Sequence, residues 1–346
     1  MKILAWNCRG LGNPDAVHAY KRFLKFQCQD VVFLMETKLK ESDSKIPSKL
    51  CLGHLQNHFL VSCNSEGGGR SGGLALIWHN DVNLHITNHN KMSIEFYIVD
   101  SITNDKWYAT GLYDYPTQSN KYLTCETIKN LYNSYHNDTW LVLGDFNLYL
   151  NSSEKAGGKN VDYNNCDLFQ STLNHCDLLD LVYHGNKFTW ANNQESKQHI
   201  KERLDKYCAN PLWVNHFPRY TKYHLLRFAS DHSPIMLEFW DKFVCRNNRF
   251  EELWSHDKDN FKIVQKSWAN TTRNSVHKNH DVLMQLHKWG SKKFGDISFS
   301  IKQMQEKLGK LKNVIPNAAI IQQIQETEKE TLICYVTGGS LVGPKG

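Results

Sequence analysis

Two polar residues, Asp145 and Asn147, follow a short apolar run and could act together on a water molecule. The run W-L-V-L over 140–143 favours a strand buried on both faces, and Gly144 marks where the chain leaves the sheet. In extended geometry, residues two apart point the same way, so the carboxylate and the carboxamide are expected side by side. Such a pair can bind a water and orient an oxyanion. The alternative is an ordinary turn, because Gly, Asp and Asn are common turn residues.

Polar residues also stand at or beside the ends of other predicted strands. The complete set is Asn7, Glu36, Tyr113, Asp145, Asn147, Asp205, Asp231 and His232. Buried strands that end in charged or amide groups are costly to bring together unless something compensates. A divalent cation compensates carboxylates well, and a site of one or two carboxylates plus an amide suits Mg²⁺ or Mn²⁺.

With such a cation, these residue types fit the hydrolysis of a phosphoester. A carboxylate can take a proton from the attacking water. An imidazolium and the metal can both neutralise the charge that grows on the phosphoryl oxygens. A second aspartate facing the histidine would fix its tautomer and keep it charged.

The elements that must position these groups are predicted from apolar spacing and turn residues. Helices are predicted over 14–27, with Asn13 as the cap, over 122–135 and around 166–176. The predicted strands cover 2–7, 30–35, 74–78, 94–102, 106–113, 140–143, 178–183, 188–191 and 200–207, with two more inside 224–239. Glycines at 67–69 and 72–73 predict a hairpin turn, since they lack the Lys-Ser/Thr of a phosphate-binding loop.

The excess positive charge is concentrated in the last third of the chain. Residues 241–346 hold 17 Lys and Arg against 11 Asp and Glu, whereas residues 1–240 hold 24 of each. A polyanion would therefore bind the first part through local groups or a bound cation. Beyond Asp241 helical spacing replaces strand patterns, at 261–268, 282–294 and 297–311. We predict a first domain over 1–240, a helical basic connector over 241–335 and a disordered tail over 336–346.

The ten cysteines form no C-x-x-C pair and no spacing typical of a zinc site. The N-terminus turns polar too soon for a secretion signal, and no apolar run reaches the length of a membrane span. An intracellular, reducing setting with no membrane association is expected.

The motifs that hold the polar residues resemble the endonuclease/exonuclease/phosphatase superfamily, the group similar to deoxyribonuclease I and the apurinic endonucleases. In order they are W-N-C-R-G, L-M-E-T-K, G-L-Y, G-D-F-N, R-L-D and S-D-H-S-P, within about residues 1–240. The resemblance implies an α+β fold: a four-layer α/β sandwich of two packed mixed β-sheets flanked by helices. Here that sandwich is followed by a helical C-terminal extension.

Further motifs look like the endonuclease domain of plant-type non-LTR (LINE) retrotransposons. These are M-K-I-L-A-W-N-C-R-G-L-G-N-P at the start and F-T-W-A-N at 188–192. N-R-F-E-E-L-W at 248–254 and K-K-F-G-D-I at 292–297 resemble the connector to a reverse transcriptase. The chain stops before any reverse transcriptase, so a truncated element or a derived gene is expected.

The resemblance implies a role for each matching residue, beginning with the metal and the water. Glu36 would be the main ligand of Mg²⁺, with Mn²⁺ as a possible substitute and Asn7 beside it. Asp231 would assist metal or leaving-group chemistry. Asp145 would align or deprotonate the attacking water, and Asn147 would hold the phosphate.

The remaining implied roles concern the phosphate and the substrate. His232, oriented by Asp205, would bind the non-bridging oxygens, and Tyr113 would stabilise the phosphate or the leaving oxyanion. Arg9 and Trp190 would contact the substrate, although an aromatic residue such as Trp190 more often packs in a core. By itself Asp205 could simply pair with a neighbouring Lys or Arg.

The implied activity is Mg²⁺-dependent nicking of DNA, most simply double-stranded, with a 3′-hydroxyl left at the cut. A nuclear location is expected although no Lys/Arg run marks import, and no stable protein partner is predicted. One departure from the family is Asp114-Tyr115 after Tyr113, where a small residue is usual. The extra carboxylate of Asp114 would repel a phosphate, which puts efficient catalysis in question. Two alternatives remain: a phosphatase for small phosphoesters, and an idle retroelement fragment that only binds nucleic acid.

Overall fold

The computed structural model of this chain forms two compact units. One unit is Met1–Lys242 with Lys312–Gln323, and the other is Phe243–Leu311 with Ile324–Gly346. The described residues are 1–27, 29–64, 69–100, 103–114, 120–192, 194, 198–240, 258–270, 275–294, 303–304, 307–308, 310–311 and 318–337. None of the helices in these ranges is long and apolar enough to cross a membrane.

Three sheets account for the strands described in the first unit. The strands are Lys2–Asn7 (β1), Val31–Met35 (β2), Leu55–Val61 (β3), Leu74–His79 (β4), Asn83–His89 (β5), Ser93–Val99 (β6), Lys106–Tyr113 (β7), Trp140–Asp145 (β8), Lys155–Ala156 (β9), Leu179–Asp180 (β10), Tyr183–Gly185 (β11), Trp190–Ala191 (β12), Lys201–Glu202 (β13), Asp205–Ala209 (β14), Arg219–His224 (β15) and Ile235–Trp240 (β16). The first large sheet has the order β11-β15-β16-β1-β2-β4-β3, and the second has the order β10-β14-β8-β7-β6-β5. A small third sheet has the order β12-β13-β9.

Both large sheets are mixed. In each sheet one pair of parallel central strands ends at the same edge. In the first sheet β1 runs parallel to β2, with Asn7 opposite Met35. In the second sheet β7 runs parallel to β8, with Tyr113 opposite Asp145. These four strands are almost wholly buried, as expected for apolar runs covered on both faces.

The two large sheets pack face to face, and helices cover their outer faces. The helices of this unit are Pro14–Gln27 (α1), Ile46–Leu50 (α2), Lys121–Tyr135 (α3), Tyr163–His175 (α4) and Pro211–His216 (α5). Alternate residues of the central strands, including Phe33 and Leu143, form the core between the sheets. Residues of α1 pack on the first sheet, and residues of α3 and α4 pack on the second. The predicted four-layer sandwich is confirmed.

The described part of the second unit is helical. It contains Lys258–Asn270 (α6), Ser275–Phe294 (α7) and the longer part of Ala318–Thr337 (α8). Val282 and Leu286 of α7 pack against Ile263 and Val264 of α6. The predicted disordered tail begins inside α8, which continues to Thr337, and its remainder lies outside the described residues. Residues 248–254 and part of the predicted helix 297–311 also lie outside them.

Several strand predictions need correction. The segment at 224–239 was expected to hold two strands, but β15 ends at His224 and only β16 follows. The predicted strand 200–207 is divided into β13 and β14, and of 188–191 only Trp190–Ala191 is a strand. The glycine-rich turn does join a hairpin, because β3 and β4 pair antiparallel, although residues 65–68 are not described.

Candidate active site

The carboxyl ends of the parallel strands bring the predicted site residues to one rim of the sandwich. Asn7 ends β1 and Glu36 follows β2, while Tyr113 ends β7 and Asp145 ends β8. Because parallel neighbours end at the same edge, each sheet delivers two polar side chains to this rim. The two sheets face each other, so the two pairs of residues meet.

Asn7 connects the two sheets directly. Its Nδ2 donates to Glu36 Oε1 at 3.0 Å and to Asp145 Oδ2 at 3.1 Å. Glu36 Oε1 also accepts from Tyr113 Oη at 3.0 Å and from Arg9 Nη1 at 3.3 Å. Asn7, Glu36 and Asp145 are all buried. Groups that are up to 138 positions apart in the chain therefore form one hydrogen-bonded cluster.

His232 enters from the loop before β16 and completes the other side of the cluster. Its Nδ1 lies 3.1 Å from Asp205 Oδ2 and 3.8 Å from Asp145 Oδ2. Asp205 begins β14 directly opposite Asp145 in the antiparallel register. Although burial lowers it, the carboxylates of Asp205 and Asp145 raise the pKa of His232 to about 9. The imidazole is therefore a cation at neutral pH. Of the two partners considered for Asp205, a neighbouring Lys or Arg and His232, the structure shows His232.

Asp145 has a carboxyl pKa that is raised toward neutral pH. Burial raises its pKa to about 6, against the opposing effects of His232 and the Asn7 hydrogen bond. Burial also raises the pKa of Tyr113 far above its ordinary value, and the adjacent charge of Glu36 adds to this effect. Tyr113 therefore stays protonated and serves as a hydrogen-bond donor.

Asp231 and Trp190 form the outer wall of the site beside His232. Asp231 Oδ2 accepts from Arg9 Nη2 and from Trp190 Nε1, each at 2.9 Å. Trp190 also forms a β-bridge with His232, and their ring centroids are 6.5 Å apart. Arg9 joins Glu36 to Asp231 across the mouth of the cluster, with about half of its side chain exposed. The two predicted substrate-contacting residues thus lie at the site.

The backbone of the site is unusually rich in left-handed residues that are not glycine. Arg9, Glu36, Asn147 and Ala229 have φ angles of 55°, 52°, 50° and 49°. Each such residue costs on the order of 1 kcal/mol or more, and clusters of them are typical of functional sites. Glu36, one of these residues, directly follows the buried strand β2.

The expectation that Asp145 and Asn147 point the same way in extended geometry is wrong. Gly144 has φ 135° and Asn147 is left-handed, so the chain turns sharply after β8. Asn147 N donates to Asp145 Oδ1 at 3.0 Å, and its Nδ2 donates to the carbonyl oxygen of Asp114 at 2.9 Å. Asn147 therefore shapes the turn that holds Asp145. Asp114 is buried, whereas Tyr115 lies outside the described residues.

Several oxygen atoms of the cluster are suited to a cation. Asp231 Oδ1 and Asp205 Oδ1 are buried and have no hydrogen-bond partner. Among the described residues, Asp145, Asp205 and His232 offer ligand atoms within 4.8 Å of one another. A histidine must be neutral to bind a metal, and the raised pKa of His232 opposes this. The carboxylates of Glu36 and Asp231, the predicted metal ligands, both bind the guanidinium of Arg9.

Residues that the sequence patterns did not single out also support the site. Thr189 Oγ1 accepts from the backbone N–H of Leu204 and of Asp205, at 3.0 and 3.1 Å. Ser230 Oγ donates to the carbonyl oxygen of Asn7 at 2.8 Å and accepts from His232 N at 3.1 Å. Ser230 could have been noticed as the first residue of S-D-H-S-P. Nothing local distinguishes Thr189.

Comparisons with known proteins agree with this architecture. Residues 4–232 match the sequence profile of the Endonuclease/Exonuclease/phosphatase family. The comparison with curated protein sequences gives no match.

Solved structures share the fold at low sequence identity. The endonuclease domain of TRAS1, a telomere-specific non-LTR retrotransposon, has a TM-score of 0.51 and 13% identity, covering 70% of this chain and 99% of its own. The AP endonuclease LMAP from Leishmania major has a TM-score of 0.54 and 14% identity, with 70% and 88% covered. The 3′ phosphatase NExo from Neisseria, bound to a product DNA hairpin, has a TM-score of 0.51 and 17% identity, with 69% and 99% covered. At these identities the likeness shows the fold.

Proposed function

Because this chain belongs to the endonuclease/exonuclease/phosphatase family, we propose that it is a metal-dependent endonuclease that nicks DNA and leaves a 3′-hydroxyl. Members of the family hydrolyse phosphodiesters or phosphate esters. The observation that carries the proposal is the meeting of Asn7, Glu36, Asp145, Asp205 and His232 in one buried cluster.

The water is activated by Asp145 in this proposal. A general base works best when its pKa lies near the working pH, and the pKa of Asp145 is raised to about 6. Asn7 and the backbone N–H of Asn147 each hold one oxygen of this carboxylate, which fixes its direction. Asn147 stabilises the turn, and its predicted contact with the phosphate requires its amide to leave Asp114.

In this proposal His232 neutralises the negative charge that develops on the phosphoryl oxygens. Asp205 holds Nδ1 of the imidazolium, so the second ring nitrogen is the donor that would bind the phosphoryl oxygens. A preorganised donor of this kind lowers the barrier where charge develops. Tyr113 donates from the opposite side, next to Glu36. Arg9 and Trp190 stand at the mouth, where a nucleotide next to the cut would enter.

A divalent ion, Mg²⁺ or Mn²⁺, would be held by Glu36 with Asp231. The unpartnered, buried Oδ1 of Asp231 fits such an ion, because a hard cation prefers carboxylate oxygens. Bound there, it would act as a Lewis acid for the phosphoryl oxygen. Asn7 faces Glu36 with its amide nitrogen, and its oxygen accepts from Arg9 N at 3.3 Å. The predicted ligand role of Asn7 therefore requires the amide to turn over.

The choice of DNA rests on the structural likenesses together with the motifs. TRAS1 is a retrotransposon endonuclease, LMAP is an AP endonuclease, and NExo is bound to DNA. Together with the F-T-W-A-N and N-terminal motifs, these support an origin in a LINE-type element of the plant kind. Double-stranded DNA as substrate, a nuclear location and a catalytic domain that ends near residue 240 belong to the same proposal.

A phosphatase is the second candidate, and one observation favours it. Residues 1–240 carry equal numbers of acidic and basic residues, so the domain lacks the general positive charge that long nucleic acids attract. The NExo structure is titled a 3′ phosphatase. The same cluster could release phosphate from a 3′ end.

The test is supercoiled plasmid incubated with the full chain, with and without Mg²⁺. We expect Mg²⁺-dependent conversion to the nicked circle, and the nick should prime a DNA polymerase directly. Release of phosphate from a 3′-phosphorylated oligonucleotide without plasmid nicking would instead identify the phosphatase. Binding of DNA without either reaction would identify an idle fragment.

A further inference from the structure

The small third sheet and helix α3 build a wall on one side of the catalytic cluster that the mechanism above does not use. Trp190 of β12 lies opposite Glu202 of β13, and Glu202 lies opposite Lys155 of β9. Directly opposite residues of antiparallel strands place their side chains on the same face. This row therefore starts beside His232 and ends at Lys155, on the far side of Glu202.

Tyr149 continues the wall beyond Lys155. Lys155 Nζ lies 5.5 Å from the centroid of the Tyr149 ring, and Lys121 Nζ lies 5.9 Å from the same centroid. Tyr149 is buried, and its Oη accepts from the backbone N–H of Asp162 at 3.2 Å, which fixes the ring. Two lysines thus share one tyrosine ring that follows the catalytic turn by only two residues.

The two lysines beside Tyr149, Lys155 and Lys121, differ in their ion pairs. Lys155 forms an ion pair with Glu202, whereas Asp162 caps helix α4 through its contacts to Asn165. In the described part of the chain, Lys121 has no ion pair. Burial lowers the pKa of Lys121 and the charge of Lys155 adds to this effect, while the carboxylates of Glu202, Asp162 and Asp145 oppose it.

A half-buried lysine next to another lysine is unfavourable unless an anion joins it. Lys121 begins α3, and its ammonium group lies beside Tyr149, two residues after the turn that holds Asp145. The phosphates of a DNA strand are anions at regular spacing, and lysines bind them as point charges. We propose that Lys121, supported by Tyr149 and Lys155, binds a DNA phosphate outside the reacting one and positions the strand along this wall. This inference rests on the proposed function.

The chain provides a matched control on strand β7 of the second large sheet. Lys106 Nζ also lies over a tyrosine ring, 4.6 Å from the centroid of Tyr97. Lys106 begins β7 whereas Tyr113 ends it, so the two ends are separated by roughly 20 Å. Lys106→Gln removes the same charge from the same kind of contact, away from the catalytic rim.

The experiment measures binding of a fluorescein-labelled DNA duplex by anisotropy between 50 and 200 mM NaCl, with Mg²⁺ present. All proteins carry Asp145→Asn so that the DNA stays intact. One phosphate contact contributes about 0.9 to the slope of log K against log salt. We expect Lys121→Gln to weaken binding about 5- to 10-fold at 100 mM salt and to reduce the slope by about one. Lys121→Arg should restore both, and Lys106→Gln should change neither.

The outcomes separate this inference from the proposed function. If wild-type protein nicks plasmid and the Asp145→Asn protein binds duplex, but Lys121→Gln behaves as Lys106→Gln does, the phosphate contact is wrong and the nuclease stands. If wild-type protein neither nicks nor binds DNA, the proposed function fails first. Equal melting temperatures of the two glutamine variants show that folding does not explain a difference.

Discussion

Two buried charge clusters of this sandwich hold acidic and basic side chains in opposite proportions. In the first, defined here as the buried ion network, Arg203 pairs with both Glu154 and Asp180. Lys206 Nζ lies 2.7 Å from Glu154 and Lys222 Nζ lies 3.0 Å from Asp180. Three cations therefore face two carboxylates. Lys206 and Lys222 are fully buried.

The catalytic cluster has the reverse balance. Its carboxylates are those of Glu36, Asp145, Asp205 and Asp231, and its cations are His232 and the half-exposed Arg9. In the buried ion network, nearby cations overcome burial and lower the carboxyl pKa values of Asp180 and Glu154. In the catalytic cluster, burial raises the pKa of Asp145. The network therefore holds one positive charge in excess, whereas the cluster has negative charge left over for a metal ion.

The largest effect should come from breaking the network. Lys222→Met leaves the buried Asp180 without its lysine partner, and removing one member of a buried pair typically costs about 3–5 kcal/mol. We expect the free energy of unfolding in urea to fall by about this amount. Nicking per folded molecule should stay near the wild-type rate. Comparable stability of Lys222→Met and wild type would show that the network is not structural.

The next effect is the loss of activity when the catalytic cluster is altered. Glu36→Gln and His232→Gln should each lower the rate of plasmid nicking by about 10²–10³-fold, as removal of one transition-state partner typically does. Glu95→Gln is the matched control, since Glu95 and Glu36 are buried to 7% and 8% exposure. Glu95 bonds to Asn88 and Tyr135, outside the catalytic cluster. If Glu95→Gln lost as much activity as Glu36→Gln, the assignment of the cluster would be wrong.

The two clusters should respond to pH in opposite directions. The pKa of Asp145 is raised from 3.8 to about 6 on folding, so its contribution to stability is present below pH 4 and is lost as the pH rises through 6. The pKa of Asp180 is lowered, so its contribution is present above pH 4 and is lost on acidification. Asp145→Asn should therefore raise the melting temperature at pH 7.5 by a few degrees and leave it unchanged near pH 4. An equal shift at both pH values would contradict the raised pKa.

The pH profile of nicking should follow the same two groups. The rate should rise through about pH 6, because Asp145 must lose its proton, and fall above about pH 9, because His232 must keep its proton. In His232→Gln the alkaline limb should disappear while the acidic limb remains. A rate independent of pH between 5 and 8 would exclude Asp145 as the base.

The smallest effect is expected for Tyr113→Phe. This change removes a hydrogen bond to the Glu36 carboxylate, and such a bond to a charged group is worth about 1.5–3 kcal/mol. We expect a loss of about tenfold in nicking, since Asn7 and Arg9 still hold Glu36. Plasmid assays at saturating Mg²⁺ measure it. A loss as large as that of Glu36→Gln would give Tyr113 a more direct part in the reaction.

The sequence predicts the catalytic rim well because each of its strands is an apolar run that stops at a polar residue. It predicts the edge strands poorly. β3 and β5 lie at the ends of their sheets, and much of β5 is exposed, so neither shows a solid apolar run. The segment after His224 is apolar too, but Leu225 and Phe228 pack with α1 and Trp6 in a loop.

The details of the site depend on contacts that no local pattern contains. The left-handed turn at Asn147 replaces the expected extended geometry. Gly144 approaches the backbone of Leu112 too closely for a side chain. The buried ion network joins Glu154, Asp180, Arg203 and Lys222 from four separate segments. Each of these residues alone is typical of an exposed charge.

The most direct test of the unbalanced catalytic cluster is Mn²⁺ binding followed by electron paramagnetic resonance in the absence of DNA. Wild-type protein should bind one ion at the rim, Glu36→Gln should lose it, and Glu95→Gln should bind as wild type does. No Mn²⁺ bound by the wild-type protein, or equal binding by Glu36→Gln, would contradict the conclusion that the surplus carboxylates hold a metal.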